Sequence, residues 1–297
     1  MPAAGDIDPD QTERAPRDET PAERDQRFRR LERAWQDEVG QHLLDVPHEA
    51  PGSALVFERQ FQRVIDHLDL SPGGAIAEVG CGKGHFLAQV RRSAGGAAAT
   101  LVGIDLSHAV KALPGKGLAG LQADGEALPF ADGSLRAMVY DGALHHLIDY
   151  RAALHDAHRV LAPGGRIVIF EPVSSPFTRF VHRVLDPIVF SQTEYESPID
   201  QEYKHVFREA PVLETLDELG MAHTIERTDA LAYPMTGCYA GSVFSRSLPW
   251  MRFVLRAEAL GERLPGVRSL LRFASWRFLV VATKPAGPGA RGARGAN

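Results

Sequence analysis

Cysteine is nearly absent from this chain. Two occur in 297 residues, Cys81 and Cys238, too few for a disulfide framework and without the C-x-x-C spacing of a zinc site. A reducing, cytoplasmic setting is therefore the expectation. No run of about 18 apolar residues occurs, and the polar segment from Met1 to Arg33 lacks the apolar core of a signal peptide, so neither a spanning helix nor secretion is expected. Positive charge is not in excess either. Lys and Arg number 33 against 38 Asp and Glu, a formal net charge of -5, which argues against a protein held mainly by nucleic-acid phosphates. Repeats at a period of 20–50 residues are missing, which excludes solenoids and propellers. What remains is ordinary: 44% hydrophobic and 24% charged residues match a globular chain, and the length allows one large or two small domains.

The ends differ from the middle. Residues 1–22 carry almost no large apolar side chain and read as a disordered arm, and 285–297 contain only Pro, Gly, Ala, Arg and a final Asn in what reads as a flexible tail. From Arg24 to about Leu44, Phe28, Leu31, Trp35, Val39 and Leu43 recur at helical spacing, so N-terminal helices are expected within 23–70. Four short apolar runs follow, at Ala75–Val79, Thr100–Ile104, Ala137–Tyr140 and Arg166–Phe170. Helical patterns at Gly84–Ser93 and Tyr150–Leu161 separate two pairs of them. This alternation predicts an α/β fold with a doubly wound parallel sheet, whose ligands sit beyond the carboxyl ends of the strands.

The first strand ends in Glu78-Val79-Gly80-Cys81-Gly82-Lys83-Gly84. Glycines at a strand-to-helix turn let the backbone approach a ligand closely. The dinucleotide fingerprint fails here, because counting from Gly80 its third glycine falls on His85. The phosphate-loop pattern fails too, since Lys83 has no following Ser or Thr. Cys81 reads as a small residue tolerated in the turn rather than as a nucleophile.

The segment resembles the acidic-x-G-x-G-x-G motif of class I S-adenosylmethionine-dependent methyltransferases, and the resemblance runs in order from Ala75 to Pro172. Asp105, with Leu106 after it, ends the second strand where the family binds the ribose hydroxyls. Asp124-Gly125 resembles the segment that meets the adenine amino group. Leu144-His145-His146-Leu147 and Arg159-Val160-Leu161-Ala162-Pro163-Gly164-Gly165 complete the set, which is similar to the branch containing quinone, sterol and sugar methyltransferases. The resemblance implies a seven-stranded Rossmann-like sheet and S-adenosylmethionine as cofactor. Its contacts would come from Glu78, Gly80, Gly82, Gly84, Asp105, Leu106, Asp124, Gly125 and Asp141, with no metal. Arg136 stands where the family usually has an Asp at the start of the fourth strand.

Methyl transfer from a sulfonium is an in-line displacement, so alignment and exclusion of water are the main demands. A hydroxyl acceptor also needs a base, and histidine suits that work near pH 7. His145 and His146 follow the fourth strand and Glu171 follows the fifth, on one edge of the sheet. Glu171 is placed to orient an imidazole as the acid of a triad does. His145 is the preferred base, His146 the lesser candidate, and packing the rival role for both; His155 and His158 read as part of a solvated helix face.

Two insertions are expected to cap the core, which spans 71–172. A lid at 173–206 carries Phe177, Phe180, Val181, Val184, Leu185 and Ile188 at helical spacing. A second insertion, 229–275, lies inside the C-terminal half of the sheet at 207–284. From Ser242 to Lys284 eight basic residues face two acidic ones, a local excess of six that leaves the rest of the chain at -11. Interleaved with Trp250, Phe253 and several leucines, these charges suggest peripheral membrane contact through 242–277 or a grip on an anionic, lipid-like acceptor; a solvated basic face on an ordinary cap is the rival reading. The expected activity is methyl transfer to a small, partly apolar acceptor, oxygen preferred over the carbon of a quinone or isoprenoid. A nicotinamide oxidoreductase and a non-catalytic binding protein are the alternatives, and oligomeric state is left open.

Overall fold

The structure, a computed structural model, describes residues 19–40, 45, 49–70, 74–181, 208–236 and 244–286. The expected arm up to residue 18, the helical positions of Leu43, Val184, Leu185 and Ile188, and the tail beyond 286 lie outside these residues. Seven strands form one sheet: β1 (Ala75–Val79), β2 (Thr100–Asp105), β3 (Ala119–Gln122), β4 (Leu135–Asp141), β5 (Leu161–Pro172), β6 (Ala222–Thr228) and β7 (Arg277–Thr283). Their spatial order is β3-β2-β1-β4-β5-β7-β6. The first five strands are parallel, and β7 runs antiparallel to both neighbours.

The central strands are continuous apolar runs because both faces of the sheet are covered. On one face Ala77, Met138 and Ile167 pack with Ala153, Leu154 and Ala157 of α4 (Tyr150–Val160) and with Val212 and Leu216 of α5 (Glu209–Glu218). On the other, Ile76, Val139 and Val168 meet Phe61, Val64 and Ile65 of α2 (Pro51–Ile65) and Phe86, Leu87 and Val90 of α3 (His85–Arg92). Alternate residues of one strand thus serve opposite cores, as a pleat with period two requires. Arg136 reaches Asp69 at 3.4 Å, and its guanidinium fills the space beside Gly74 that a Cβ there would need.

The N-terminal helical stretch is described as far as Gly40, and the expected continuation to about Leu44 lies outside the described residues. α1 (Pro21–Trp35) opens with a capping box, Thr20 Oγ1 accepting from Glu23 N while Glu23 accepts from Thr20 N. It then passes into a π-helical stretch, Gln36–Gly40.

A third apolar cluster lies at the carboxyl edge of β5. Val56 and Phe57 of α2, Ala232 and Tyr233, Met251, Val254 and Leu255 of α6 (Leu248–Gly261), and Trp276 form it, with Val181 packed against them. Beyond α6 comes α7 (Pro265–Phe273). The cap is joined to the sheet where Val173 N donates to Trp276 O at 2.8 Å. Among the described residues, no helix is long and apolar enough to cross a membrane.

Candidate active site

The strand order reverses between β1 and β4, and the loops leaving β1, β2, β4 and β5 meet at that edge. Gly80 (φ 70°) and Gly82 (φ 49°) adopt left-handed backbone, which an L side chain resists. A Cβ on Gly80 would collide with Ala143 in the loop after β4, so the two loops touch. The N–H groups of Gly80 and Cys81 donate to Ile104 O at 2.8 and 3.1 Å. Gly82 N donates to Asp105 Oδ2 at 2.8 Å. The other oxygen, Oδ1, accepts from Ser107 N at 2.9 Å and Ser107 Oγ at 2.7 Å. Three of about four acceptor positions on this carboxylate are therefore used within the chain, and the fourth is on Oδ2. Leu106 follows, its carbonyl held by Gln122 Nε2 at 3.0 Å, and Gly84 (φ 73°) caps α3.

Asp124 and Gly125 lie in the loop after β3. Asp124 Oδ1 accepts from Glu126 N at 2.9 Å, and Oδ2 pairs with Arg29 Nε of α1 at 2.8 Å; Arg29 also pairs with Glu126. A Cβ on Gly125 would stand 2.6 Å from Val79 Cγ1, which brings this loop against the end of β1. α1 and its π-helical extension line the same edge, since Asp37 also accepts from His108 N at 2.6 Å.

Beneath the turn lie three buried groups. Glu78 is buried and its Oε2 has no hydrogen-bond partner among the described residues. Burial, with the charges of Asp141 and Asp105, pushes its carboxyl well above the usual range. Burial raises Asp141 too, against the pull of Arg277, whose Nη2 lies 2.6 Å from Asp141 Oδ1. The Cys81 thiol is pushed strongly upward by burial and by Glu78 and Asp105, so the thiolate is suppressed and a nucleophilic role with it.

His145, His146 and Glu171 come together as the strand ends suggested. Glu171 is 0% exposed. Its Oε1 accepts from Ala143 N at 2.9 Å and Leu144 N at 2.7 Å, and its Oε2 lies 2.6 Å from His145 Nδ1. With one oxygen saturated by backbone donors, the other accepts the Nδ1 proton, and His145 Nε2 then carries the lone pair. The ring of His146 lies 4.0 Å from that of His145, centroid to centroid, and its Nδ1 is 3.8 Å from Glu32 Oε1 of α1. His146 therefore faces the N-terminal helix. His155 and His158 stay on α4, away from this cluster.

Arg277 was counted from the sequence among the basic residues of the insertion, yet it is buried at the start of β7. Besides Asp141 it donates to Phe170 O at 2.6 Å and to Gln60 Oε1 at 3.2 Å, with its Cζ 3.8 Å over the Phe170 ring. A charge directly before the apolar run Phe278-Leu279-Val280-Val281 was the available signal. Arg29 was also missed, because nothing in spacing marks a partner so far along the chain as Asp124, and Ser107 was missed although it stands two residues after Asp105. No group of three or more His, Cys, Asp or Glu among the described residues could hold a metal ion.

Comparison with known proteins agrees with this geometry. Residues 77–169 match the family described as methyltransferase domain. A demethylmenaquinone methyltransferase from Corynebacterium urealyticum is 32% identical over 111 residues, 37% of this chain and 46% of that protein. The ubiquinone/menaquinone biosynthesis C-methyltransferase UbiE of Geobacter sulfurreducens is 31% identical over 137 residues, 43% of this chain and 53% of its own. The chain thus spans about half the length of such relatives. Among solved structures, the [4+2]-cyclase SpnF superposes with a TM-score of 0.58 at 18% identity, covering 88% of this chain and 97% of that one. Geranyl diphosphate C-methyltransferase from Streptomyces coelicolor gives 0.52 at 16% identity, covering 77% and 78%. The fold is that of class I methyltransferases, and residues 77–169 are similar to their methyltransferase domain.

Proposed function

We propose that this chain transfers a methyl group from S-adenosylmethionine to a small, partly apolar acceptor bearing an ionisable hydroxyl, with His145 as general base. The observation that carries the reading is the placement, at one sheet edge, of an Asp105-braced glycine turn beside a histidine whose Nδ1 is committed to buried Glu171. When bound, the cofactor supplies an electrophilic methyl group on a sulfonium. The residues fit it: Asp105 Oδ2 has an acceptor position for a ribose hydroxyl, with the second hydroxyl competing with Ser107 for Oδ1, and Glu78 Oε2 is an orphaned polar atom below the turn. Gly80, Gly82 and Gly84 allow close approach, Leu106 and Gly125 flank the base side, and Asp124 is the adenine contact once Arg29 yields or shares it. Asp141, held at the end of β4 by Arg277, is the remaining cofactor contact proposed at this edge.

His145 Nε2 takes the acceptor's hydroxyl proton, and Glu171 stabilises the resulting imidazolium. The released electron pair makes the acceptor oxygen the nucleophile. His146 packs on the first ring and ties it to α1. A second reading, methylation of carbon, is favoured by the names of the quinone and geranyl diphosphate relatives. In a phenol or quinol the same deprotonation also enriches the ring carbon beside the oxygen, so both readings use His145.

The test is transfer of labelled methyl to a panel of phenols, quinols and hydroxylated isoprenoids, with the new bond located by NMR. His145→Ala should lower kcat by about 10²–10⁴ with cofactor affinity nearly unchanged, because a base acts on the acceptor's proton. Glu171→Gln should cost less in the same direction. Unchanged turnover in His145→Ala, or loss of cofactor binding, would contradict the assignment.

A further inference from the structure

α6 turns Met251, Val254, Leu255 and Glu258 toward the protein and leaves Trp250, Phe253, Ala257 and Leu260 outside. Phe253 is 61% exposed. At 100° per residue the four outer apolar positions fall in one arc, and Arg252 and Arg256 form a stripe along one side of it. α7 has no buried residue at all. Leu264 just before it, and its own Leu270 and Phe273, are exposed, Leu270 by 65%, while Val267 and Leu271 lean toward Gly261 of α6. Phe273 touches Phe177 of the helix described over 176–181, ring centroids 5.6 Å apart, and Phe180 on that helix is 64% exposed beside exposed Arg179. One apolar surface therefore runs across three helices, a pattern that exceeds the scattered apolar exposure of ordinary surfaces.

The charge on this surface has one sign. Arg246, Arg252, Arg256 and Arg263 are exposed on it, whereas Arg268 and Arg272, also exposed, line a cleft with Glu226, Glu258 and Glu262. The acids of the same stretch are turned away: Glu258 is buried and accepts from Leu231 N at 2.9 Å, and Glu262 lies 3.8 Å from Arg63 of α2. The remainder of the chain carries the opposite sign, so the arginines are not a response to overall charge. Large apolar side chains flanked by arginine, with no outward acid, complement an apolar layer beneath an anionic one. A second copy of the chain would bring arginines against arginines. α7 also ends three residues before β7, whose first residue is Arg277 at the site edge.

We propose that α6, α7 and the start of the helix at 176 form a docking surface for an anionic lipid bilayer, laying the site edge of the sheet toward the membrane. The inference is independent of which acceptor is methylated. Its test uses the full chain with phosphatidylcholine vesicles, with and without roughly one-third phosphatidylserine, read by flotation and by Trp250 emission, with Trp250→Phe as the spectral control. Binding should appear with the anionic lipid and fall as salt rises, since the attraction is screened over about 8–10 Å. Emission should shift to shorter wavelength and the shift should vanish in Trp250→Phe. Arg252→Gln/Arg256→Gln/Arg263→Gln should lower partitioning about 100-fold, on the scale of roughly one kcal/mol per basic residue at such a surface. Phe253→Ser/Leu270→Ser should weaken it at high salt as well. Circular dichroism and titration with S-adenosylhomocysteine on the same samples show whether each variant is folded, and separate failure of docking from failure of the methyltransferase reading. No flotation at any lipid composition, equal binding to neutral vesicles without response to the arginine variants, or burial of Trp250 by self-association in sedimentation would overturn the proposal.

Discussion

Asp105 holds the glycine turn and Ser107 with three hydrogen bonds and has one acceptor position left. Asp105→Ala should therefore weaken S-adenosylhomocysteine binding by about 1.5–3 kcal/mol, the scale of hydrogen bonds to a charged group, as measured by calorimetry; an unchanged affinity would remove this residue from the site. Asp229 offers a different check. It is buried at φ 63°, and burial lifts its carboxyl to about 6. The folded chain then holds this proton where the unfolded chain, with a carboxyl near 3.9, has released it. Stability from this group is present below about pH 4 and is lost as pH rises to about 6, by up to about 3 kcal/mol. Asn tolerates left-handed backbone, so Asp229→Asn should flatten the denaturant midpoint across that window relative to wild type. At this scale the sequence was legible where a residue type is tied to a short motif, as with Asp105, Glu171 and His145. It was silent where the partner lies far along the chain: Arg29 to Asp124, or Arg277 to Asp141.

The strands differ in how openly their sequence shows them. β1, β4 and β5 are buried on both sides and appear as apolar runs, whereas β3, Ala-Gly-Leu-Gln at the sheet edge, is almost wholly exposed and has no run to read. The apolar period that runs from Arg24 gave no sign that α1 passes into a π-helical stretch at Gln36–Gly40. Between elements, Arg277 is the main polar join: it ties β7 to Asp141 at the end of β4 and to the Phe170 carbonyl in β5. Arg277→Met should cost about 3–5 kcal/mol in chemical denaturation, since Asp141 is left as an uncompensated buried acid. Arg277→Met/Asp141→Asn should recover part of that loss. Additive losses in the double variant would mean that the pair is not coupled.

Across the whole molecule, strand order and cap placement put every proposed site residue at one edge of the sheet, with the basic, apolar helices α6 and α7 beside it. The order of motifs from Ala75 to Pro172 made this core readable, because each piece sits at a strand end that the topology brings together. The cap was readable only as composition, since which faces of α6 turn inward depends on α2, some two hundred residues earlier. Fold alone does not fix the reaction: a cyclase superposes on this chain as well as methyltransferases do. The central proposal is that this edge binds S-adenosylmethionine and presents it to a hydroxyl beside His145. Calorimetric titration of the full chain with S-adenosylhomocysteine, and in parallel with a nicotinamide dinucleotide, tests that most directly. The account predicts saturable binding of the first at one site, weakened by Asp105→Ala and nearly unchanged by His145→Ala, and none of the second. Binding of the dinucleotide with no heat from S-adenosylhomocysteine would contradict it.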